Sequence, residues 1–430
     1  MEEAEELCRL RLEVVEERAR RVELEEENDL LALANVQLQN ELAVFRKASG
    51  GRGPAGLSAA GFRTSAAGVA GDDGEAGNNG NDGGVPLLGF DGDGRFANQA
   101  KCVIDNACGS MNVLSVSFCN ASSSADAAEL VACGGTDNCV SVYDIETAAQ
   151  VSKFSLTAPI LMLDSFGCLL ACSMMDGGVA LINLGSGDVR HLKDHSKYVV
   201  GVRWSPDGRY LASVSHDKSV HLYRVVLKDG DLESIEKHNA LRLAVTPESC
   251  FFARVPAHEH EHEQEGEVQE ASRFELVIAL RDTNHLIYMD CETFAQRHVS
   301  LNENAWDTHV SITPLFLLPS PDMQCVLVAT DKNMHFLTRL GKSKRLKVYA
   351  GHNCGDYGKP KVAFDATGQY IYSNSENDSS VFVYDVNSTS IVGKLSGHKN
   401  IIKDVCCSRK SRIVATASFD HTVIVWHRED

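Results

Sequence analysis

One pattern constrains the fold of this chain more than any other: an aspartate followed six residues later by a large apolar or aromatic residue recurs seven times. The pairs are Asp137 with Tyr143, Asp176 with Ile182, Asp217 with Tyr223, Asp282 with Tyr288, Asp331 with Leu337, Asp378 with Tyr384 and Asp420 with Trp426. Successive aspartates lie 39, 41, 65, 49, 47 and 42 residues apart. Around each stands the same unit: a short apolar stretch, a turn, a second β-rich stretch, a tight turn holding the aspartate, then an alternating strand. A self-similar period of roughly 40 to 50 residues marks an array of supersecondary units. Strand-rich units that short cannot bury both faces of their own sheet, so consecutive units must pack on one another. The one long step coincides with an acidic, histidine-rich insertion, residues 256–272.

The clearest copies are SGHKNIIKDVCCSRKSRIVATASFDHTVIVW at 396–426 and DHSKYVVGVRWSPDGRYLASVSHDKSVHLY at 194–223. They resemble WD40 repeats. That resemblance implies a seven-bladed β-propeller over residues 95–430, with the units as blades around an axis. The last repeat stops at its third strand, HTVIVW, so its outer strand is expected from residues 101–104, just before repeat one. The resemblance also implies a buried hydrogen-bonded set within a blade: His398, Ser418, Asp420 and Trp426 in repeat seven, and His195, Ser215 and Asp217 with Tyr223 in repeat three. Repeat six offers His352 and Asp378 with Tyr384. A buried imidazole or indole N–H needs an acceptor, and a turn carboxylate can supply one. Repeats one, two, four and five lack a clear Gly-His, which leaves their strand limits open. An all-β sandwich is the competing fold, and the seven-fold spacing argues against it.

Ahead of the repeats, residues 1–47 carry a heptad pattern. With Leu7 at position a, the a sites are Leu7, Val14, Arg21, Asn28, Asn35 and Leu42, and the d sites are Leu10, Glu17, Leu24, Leu31, Leu38 and Phe45. Flanking pairs of opposite sign, such as Glu6 with Arg11 and Glu41 with Arg46, suit two parallel helices in register. Asn28 and Asn35 weaken the seam but pair best with their own copies, which specifies a two-stranded state. A parallel homodimeric coiled coil is therefore expected, with Leu10, Leu24, Asn28, Leu31, Asn35 and Leu38 in the contact. An amphipathic helix packed on its own propeller is the alternative. Residues 48–94 are too rich in glycine and too poor in large apolar residues to bury a core, and read as a flexible linker reaching about 40 Å.

The net charge of −18 is unevenly spread: −6 in residues 1–47, −4 in residues 48–94, and the rest in the repeats, where six acids fall in residues 259–270. The repeat region is otherwise near neutral, which weighs against broad electrostatic binding of nucleic acid. No apolar run approaches the roughly 18 residues of a membrane span, and the acidic start MEEAEELCRL is unlike a secretory signal. A cytoplasmic or nuclear location is expected. The 14 cysteines form no CxxC pair, which reads as reduced, buried thiols.

No catalytic set stands out. LGKSK at 340–344 lacks the earlier glycine of a phosphate loop, whose place Phe336 takes. The DGDG at 91–94 places Cys102 where a calcium loop needs a glutamate. Gly185, Ser186 and Gly187 lack the flanking spacing of a nucleophile elbow. His258, His260 and His262 alternate with glutamate in the insertion and could hold Zn²⁺ weakly; a solvated loop between the first two strands of repeat four is the preferred reading. No enzyme activity, resident metal or cofactor is expected.

The expected function is that of a protein-interaction scaffold, with partner proteins or peptides bound on the face made by loops entering each innermost strand. Two of those loops, NENAWDTH at 302–309 and GHNCGDYGKP at 351–360, are longer than a minimal turn and carry Trp306 and Tyr357, residue types enriched at binding hot spots. Either aromatic could instead tuck into a blade. Tyr198 and Lys403 are placed on the same face. The alternative function is RNA or ribonucleoprotein binding through Arg339, Lys342, Lys344, Arg345 and Lys347, although lysines on an outer strand more often protect a sheet edge.

Overall fold

Short runs rich in valine, isoleucine, leucine and phenylalanine, punctuated by turns, form 28 strands among the described residues. The computed structural model describes residues 96–427 apart from 123, 125, 126, 229, 256–272, 303–309, 311, 355–358 and 377. The coiled coil and linker expected over residues 1–94, the insertion, Trp306 and Tyr357 lie outside the described residues.

The strands assemble as seven four-stranded antiparallel sheets. Blade one holds β2 (Val113–Asn120), β3 (Glu129–Gly135), β4 (Cys139–Asp144) and β5 (Gln150–Ser155); blade two holds β6 (Ile160–Phe166), β7 (Leu169–Met174), β8 (Val179–Asn183) and β9 (Val189–Leu192). Blade three comprises β10 (Val199–Trp204), β11 (Tyr210–Ser215), β12 (Ser219–Lys228) and β13 (Asp231–Arg242), and blade four β14 (Pro247–Arg254), β15 (Phe274–Leu280), β16 (His285–Asp290) and β17 (Gln296–Ser300). Blade five is β18 (Pro314–Pro319), β19 (Cys325–Thr330), β20 (Met334–Arg339) and β21 (Arg345–Ala350), and blade six β22 (Val362–Phe364), β23 (Tyr370–Ser375), β24 (Ser380–Asp385) and β25 (Ile391–Ser396). Blade seven is β26 (Ile402–Cys407), β27 (Val414–Ser418) and β28 (Val423–His427), completed by β1 (Gln99–Ile104) from the other end of the domain.

That last pairing closes the ring. β1 runs antiparallel to β28, from Gln99 opposite His427 to Ile104 opposite Val423, with a bulge between Ala100 and Cys102. Tyr143 of blade one then donates its hydroxyl to the Ala107 carbonyl at 2.8 Å, tying the closing segment to the next blade. Closure covers the outer edge of β28, which would otherwise be open for another chain to add to.

Packing explains the strand compositions. Each second strand lies between two neighbouring sheets, so β7, β11, β19 and β23 are buried along their whole length and read as continuous apolar or small-residue runs with no alternation. The core consists of seven clusters among the described residues, each seated chiefly between adjacent blades. Outer strands alternate, as in β5, where exposed Gln150, Lys153 and Ser155 face solvent.

The recurring aspartates sit in the turns between second and third strands. Asp137, Asp176, Asp217 and Asp420 each accept the backbone N–H two residues on, at 3.0–3.2 Å. The residue between adopts a left-handed conformation in each: Asn138, Gly177, Lys218 and His421 have φ of 58°, 85°, 62° and 69°. A side-chain carboxylate that closes its own turn makes that conformation tolerable. Blade four differs, for there Asp282 itself takes positive φ.

Candidate interaction face at the channel mouth

In a four-stranded meander, the turn between strands two and three and the loop entering strand one lie at the same end of the sheet. The aspartate turns and the inter-blade loops therefore share one face of the ring, and the hairpins between strands one and two lie on the other.

On the first face the hydrogen-bonded sets are built across the turn. In blade seven, His398 Nδ1 lies 3.0 Å from Asp420 Oδ2 and its Nε2 lies 2.8 Å from Thr416 Oγ1, which also accepts the Trp426 indole N–H at 2.9 Å. Thr416 thus holds the place expected for Ser418. Ser418 lies two residues nearer the turn, and its hydroxyl is used there: it accepts the Asp420 N–H and donates to the Asn400 carbonyl. Blade three repeats the shift. His195 bonds Ser213 at 2.8 Å, whereas Ser215 accepts the Asp217 N–H and donates to Tyr198 O. Tyr223, in the tryptophan position, donates to Asp194. In blade six Asp378 drops out of the set, pairing with Lys394, and His352 instead bonds the Tyr384 hydroxyl at 2.9 Å.

Burial alone would raise the Asp420 carboxyl, but bonds from His398, the Lys399 backbone and Thr422 outweigh it and hold the group well below the usual carboxylate range. Asp217 is lowered in the same way through Ser219, the Ser196 backbone and His195. These groups fix the turns.

The axial channel carries a second pattern. Six inner strands are bulged at their first turn, the extra residue being Leu114, Leu161, Val200, Glu248, Leu315 or Lys403. Lys361 occupies the corresponding position beside β22, its N–H bonded to Asn374 Oδ1. A bulge re-aims side chains and is favoured next to binding sites. Four of the seven positions are aliphatic; blades four, six and seven place a charge there.

Those charges are organised. Glu248, 1% exposed at its side chain, receives Arg281 Nε at 2.5 Å and Lys359 Nζ at 3.6 Å. Burial raises its carboxyl, and the Lys359 and Arg281 charges reverse that and lower it overall. Lys403 pairs with Glu376 at 3.4 Å and lies over the Phe419 ring at 5.0 Å. Tyr198, just before β10, bonds His216 Nδ1 at 2.7 Å and stacks on its ring at 4.3 Å. His216 is buried with its Nε2 unpartnered, and burial depresses its pKa to about 3.

Tyr198 and Lys403 therefore stand on the mouth face, on blades three and seven. The basic cluster lies at the other end: Lys342 and Lys344 are exposed in the β20–β21 turn, and the Arg345 guanidinium lies over the Phe336 ring at 4.7 Å. Sequence reasoning missed Arg203, His216, Glu248, Arg281, Lys359 and Lys361. For Glu248 and Lys361 the available signal was charge at the start of inner strands that are apolar in other blades.

A family model, the WD domain G-beta repeat, matches residues 187–224 and 389–427, which cover blade three's inner strands and blade seven. The chain carries WD40 repeats. Among relatives of the WD40 propeller, the WD repeat-containing protein SL1-17 of Schistosoma mansoni is 34% identical over 105 residues, 24% of this chain and 34% of that protein. The WD repeat domain-containing protein 83 homolog of Dictyostelium discoideum is 28% identical over 109 residues, 25% of this chain and 33% of that protein. WD repeat-containing protein 62 of Sus scrofa matches more of the WD40 region, 56% of this chain at 23% identity, but only 18% of its own length. The chain spans about a third or less of the length of these relatives.

Proposed function

We propose that this WD40 protein is a non-enzymatic scaffold that holds partner proteins on the mouth face of its propeller and dimerises through the helix expected over residues 1–47. WD-repeat propellers generally act as interaction scaffolds and are generally not enzymes. The observation that carries the reading is the set of charged groups at the starts of the inner strands, Glu248, Lys361 and Lys403, in positions that four other blades fill with aliphatic residues, together with the aromatic Tyr198 just before β10. Polar and aromatic groups gathered at one concave mouth fit a binding role better than a packing one. Trp306 and Tyr357 belong to the proposal as hot-spot residues of the two long loops entering β18 and β22. Residence in the cytoplasm or nucleus is part of the same reading.

The test is capture of partners by the full chain carrying Tyr198→Ala with Lys403→Glu, beside a second variant with Lys342, Lys344 and Arg345 reversed in charge. Loss of the captured proteins with the first variant and retention with the second supports the reading. Retention with the first and loss with the second, together with RNA in the captured material, would move the function to the basic cluster.

A further inference from the structure

The channel holds a small cavity of about 30 Å³ bordered by Met162, Val200, Arg203, Phe316, Lys359 and Lys361. With Glu248 and Ser249 of blade four, which also line it, these residues come from or just before the inner strands of blades two to six, so the cavity lies on the propeller axis. Half-buried Val200 and Lys361 border it at the mouth-face end of their strands. Its volume suits about two water-sized groups, the size of one carboxylate.

Its charges are unequal. Arg203, Lys359, Lys361 and Glu248 line it, and Arg281, Lys403, Asp164, Glu376 and Asp404 pair with or face the charged groups around it, five cations against four carboxylates in all. Arg203 pairs with Asp164 at 3.4 Å, Arg281 and Lys359 share Glu248, and Lys403 takes Glu376. Asp404 is occupied by neutral donors, the Ser115 hydroxyl at 2.6 Å and the Val116 N–H at 3.0 Å. Lys361 is left over. Among the described residues no carboxylate reaches ion-pair distance of its ammonium, which lies over the Phe316 ring at 4.2 Å, while the Arg203 guanidinium approaches that ring at 5.1 Å. Two cations on one ring, with one lacking a counter-ion, make a place where an added negative charge would be stabilised.

Resting on the partner-face reading above, we propose that the channel mouth is a socket for an acidic side chain of a partner peptide, whose carboxylate is met by Lys361 with Arg203 behind it. The aliphatic half of the mouth, Leu114, Leu161, Val200 and Leu315, borders the apolar part of the same segment. The protein's net charge of −18 does not oppose this, because much of it lies in residues 1–94 and 259–270 and is screened over about 8 Å at physiological ionic strength. Burial, reinforced by Arg203, Lys359 and Lys403 and opposed by Asp404, brings the Lys361 pKa down to about 8, so the socket carries its charge at neutral pH.

The test is fluorescence anisotropy on the full chain with a labelled twelve-residue peptide, on the order of a single inner-strand span plus its flanks, holding central aspartates among glycine, serine and leucine. Its partner probe has asparagine in place of aspartate. The aspartate probe should bind at least about tenfold more tightly than the asparagine probe, as loss of one charged hydrogen-bonded contact requires. Lys361→Gln should abolish the difference, Lys361→Arg should keep most of it, and Lys344→Gln at the opposite end should leave it unchanged. Equal binding of the two probes, or an aspartate preference that survives Lys361→Gln in a chain whose melting curve is unaltered, would overturn the socket. If Lys361→Gln unfolds the chain, failure of Lys361→Arg to retain the preference does so instead. The two readings separate: loss of captured partners with Tyr198→Ala and Lys403→Glu, but no aspartate preference, sinks the socket and leaves the partner face standing.

Discussion

His335 and His352 stack with ring centroids 3.8 Å apart, one from β20 of blade five and the other from the loop leading into blade six. Both are buried, each with one ring nitrogen unpartnered, and His335 Nε2 bonds Ser373 of blade six at 2.8 Å. Neither can take a proton without placing a charge against its neighbour. Burial drives His335 well below its ordinary value and His352 to about 4; His221, stacked on His195 at 4.0 Å, is held near 4 and His216 near 3.

These values set a pH window for stability. Unfolded histidines take up protons below about pH 6.5 while the folded ones stay neutral, so stability should be highest above that pH and fall as it is lowered toward 4. Each such histidine contributes on the order of 1 kcal/mol per pH unit. A second loss, from carboxylates such as Asp420, should begin only below about pH 4. Thermal melts between pH 7.5 and 4.5 should show a progressive decline, and His335→Gln with His352→Phe should flatten it. A melting temperature constant across that range would mean the histidines are charged in the fold.

Thr416 should be the costly hydroxyl of β27. It serves two buried nitrogens, accepting the Trp426 N–H and bonding His398 Nε2. Thr416→Val keeps the shape and strands both nitrogens, with an expected cost of roughly 1–3 kcal/mol, and it should alter Trp426 fluorescence. A variant as stable as the parent would show that water replaces the hydroxyl.

Ring closure predicts that β1 is indispensable. Removing residues up to 105 exposes the edge of β28 and takes away Ile104, which packs in one core cluster with Val423 and Val425. Such a chain should aggregate or melt far earlier than one cut at residue 94. Equal melting curves would show that the blades hold without closure.

Much of the fold is legible in the sequence because the aspartate turn is a local device: carboxylate, left-handed residue and accepted N–H lie within three positions. The missing outer strand was legible too, since HTVIVW ends the chain's last sheet one strand short. The hydroxyl in the His–Asp sets was misplaced by two residues for a physical reason. Thr416 and Ser418 point to the same side of β27, and alternation cannot separate them; only the span of the imidazole between Asp420 and mid-strand selects Thr416. The His335–His352 stack joins two blades, and nothing in either repeat announces a contact with the next. Glu248 broke the apolar pattern of inner strands visibly, but without a Gly-His signal in repeat four the strand start could not be fixed well enough to read it as a mouth residue.

The proposed dimer rests on the heptads of residues 7–46. Replacing Leu24 and Leu31 with aspartate should put charge into the seam and give a folded monomer by light scattering. An unchanged dimer mass would place the self-association elsewhere.

Lysine-directed cross-linking of the full chain to its captured partners, read by mass spectrometry, bears most directly on the scaffold function. Exposed Lys197, Lys218, Lys332 and Lys399 lie in the loops and turns of the mouth face, whereas exposed Lys342, Lys344 and Lys410 lie on the opposite one. Partner cross-links should concentrate on the first group and be lost with Tyr198→Ala and Lys403→Glu. Cross-links concentrated on Lys342, Lys344 and Lys410 would contradict the assignment of the channel mouth as the partner-binding face.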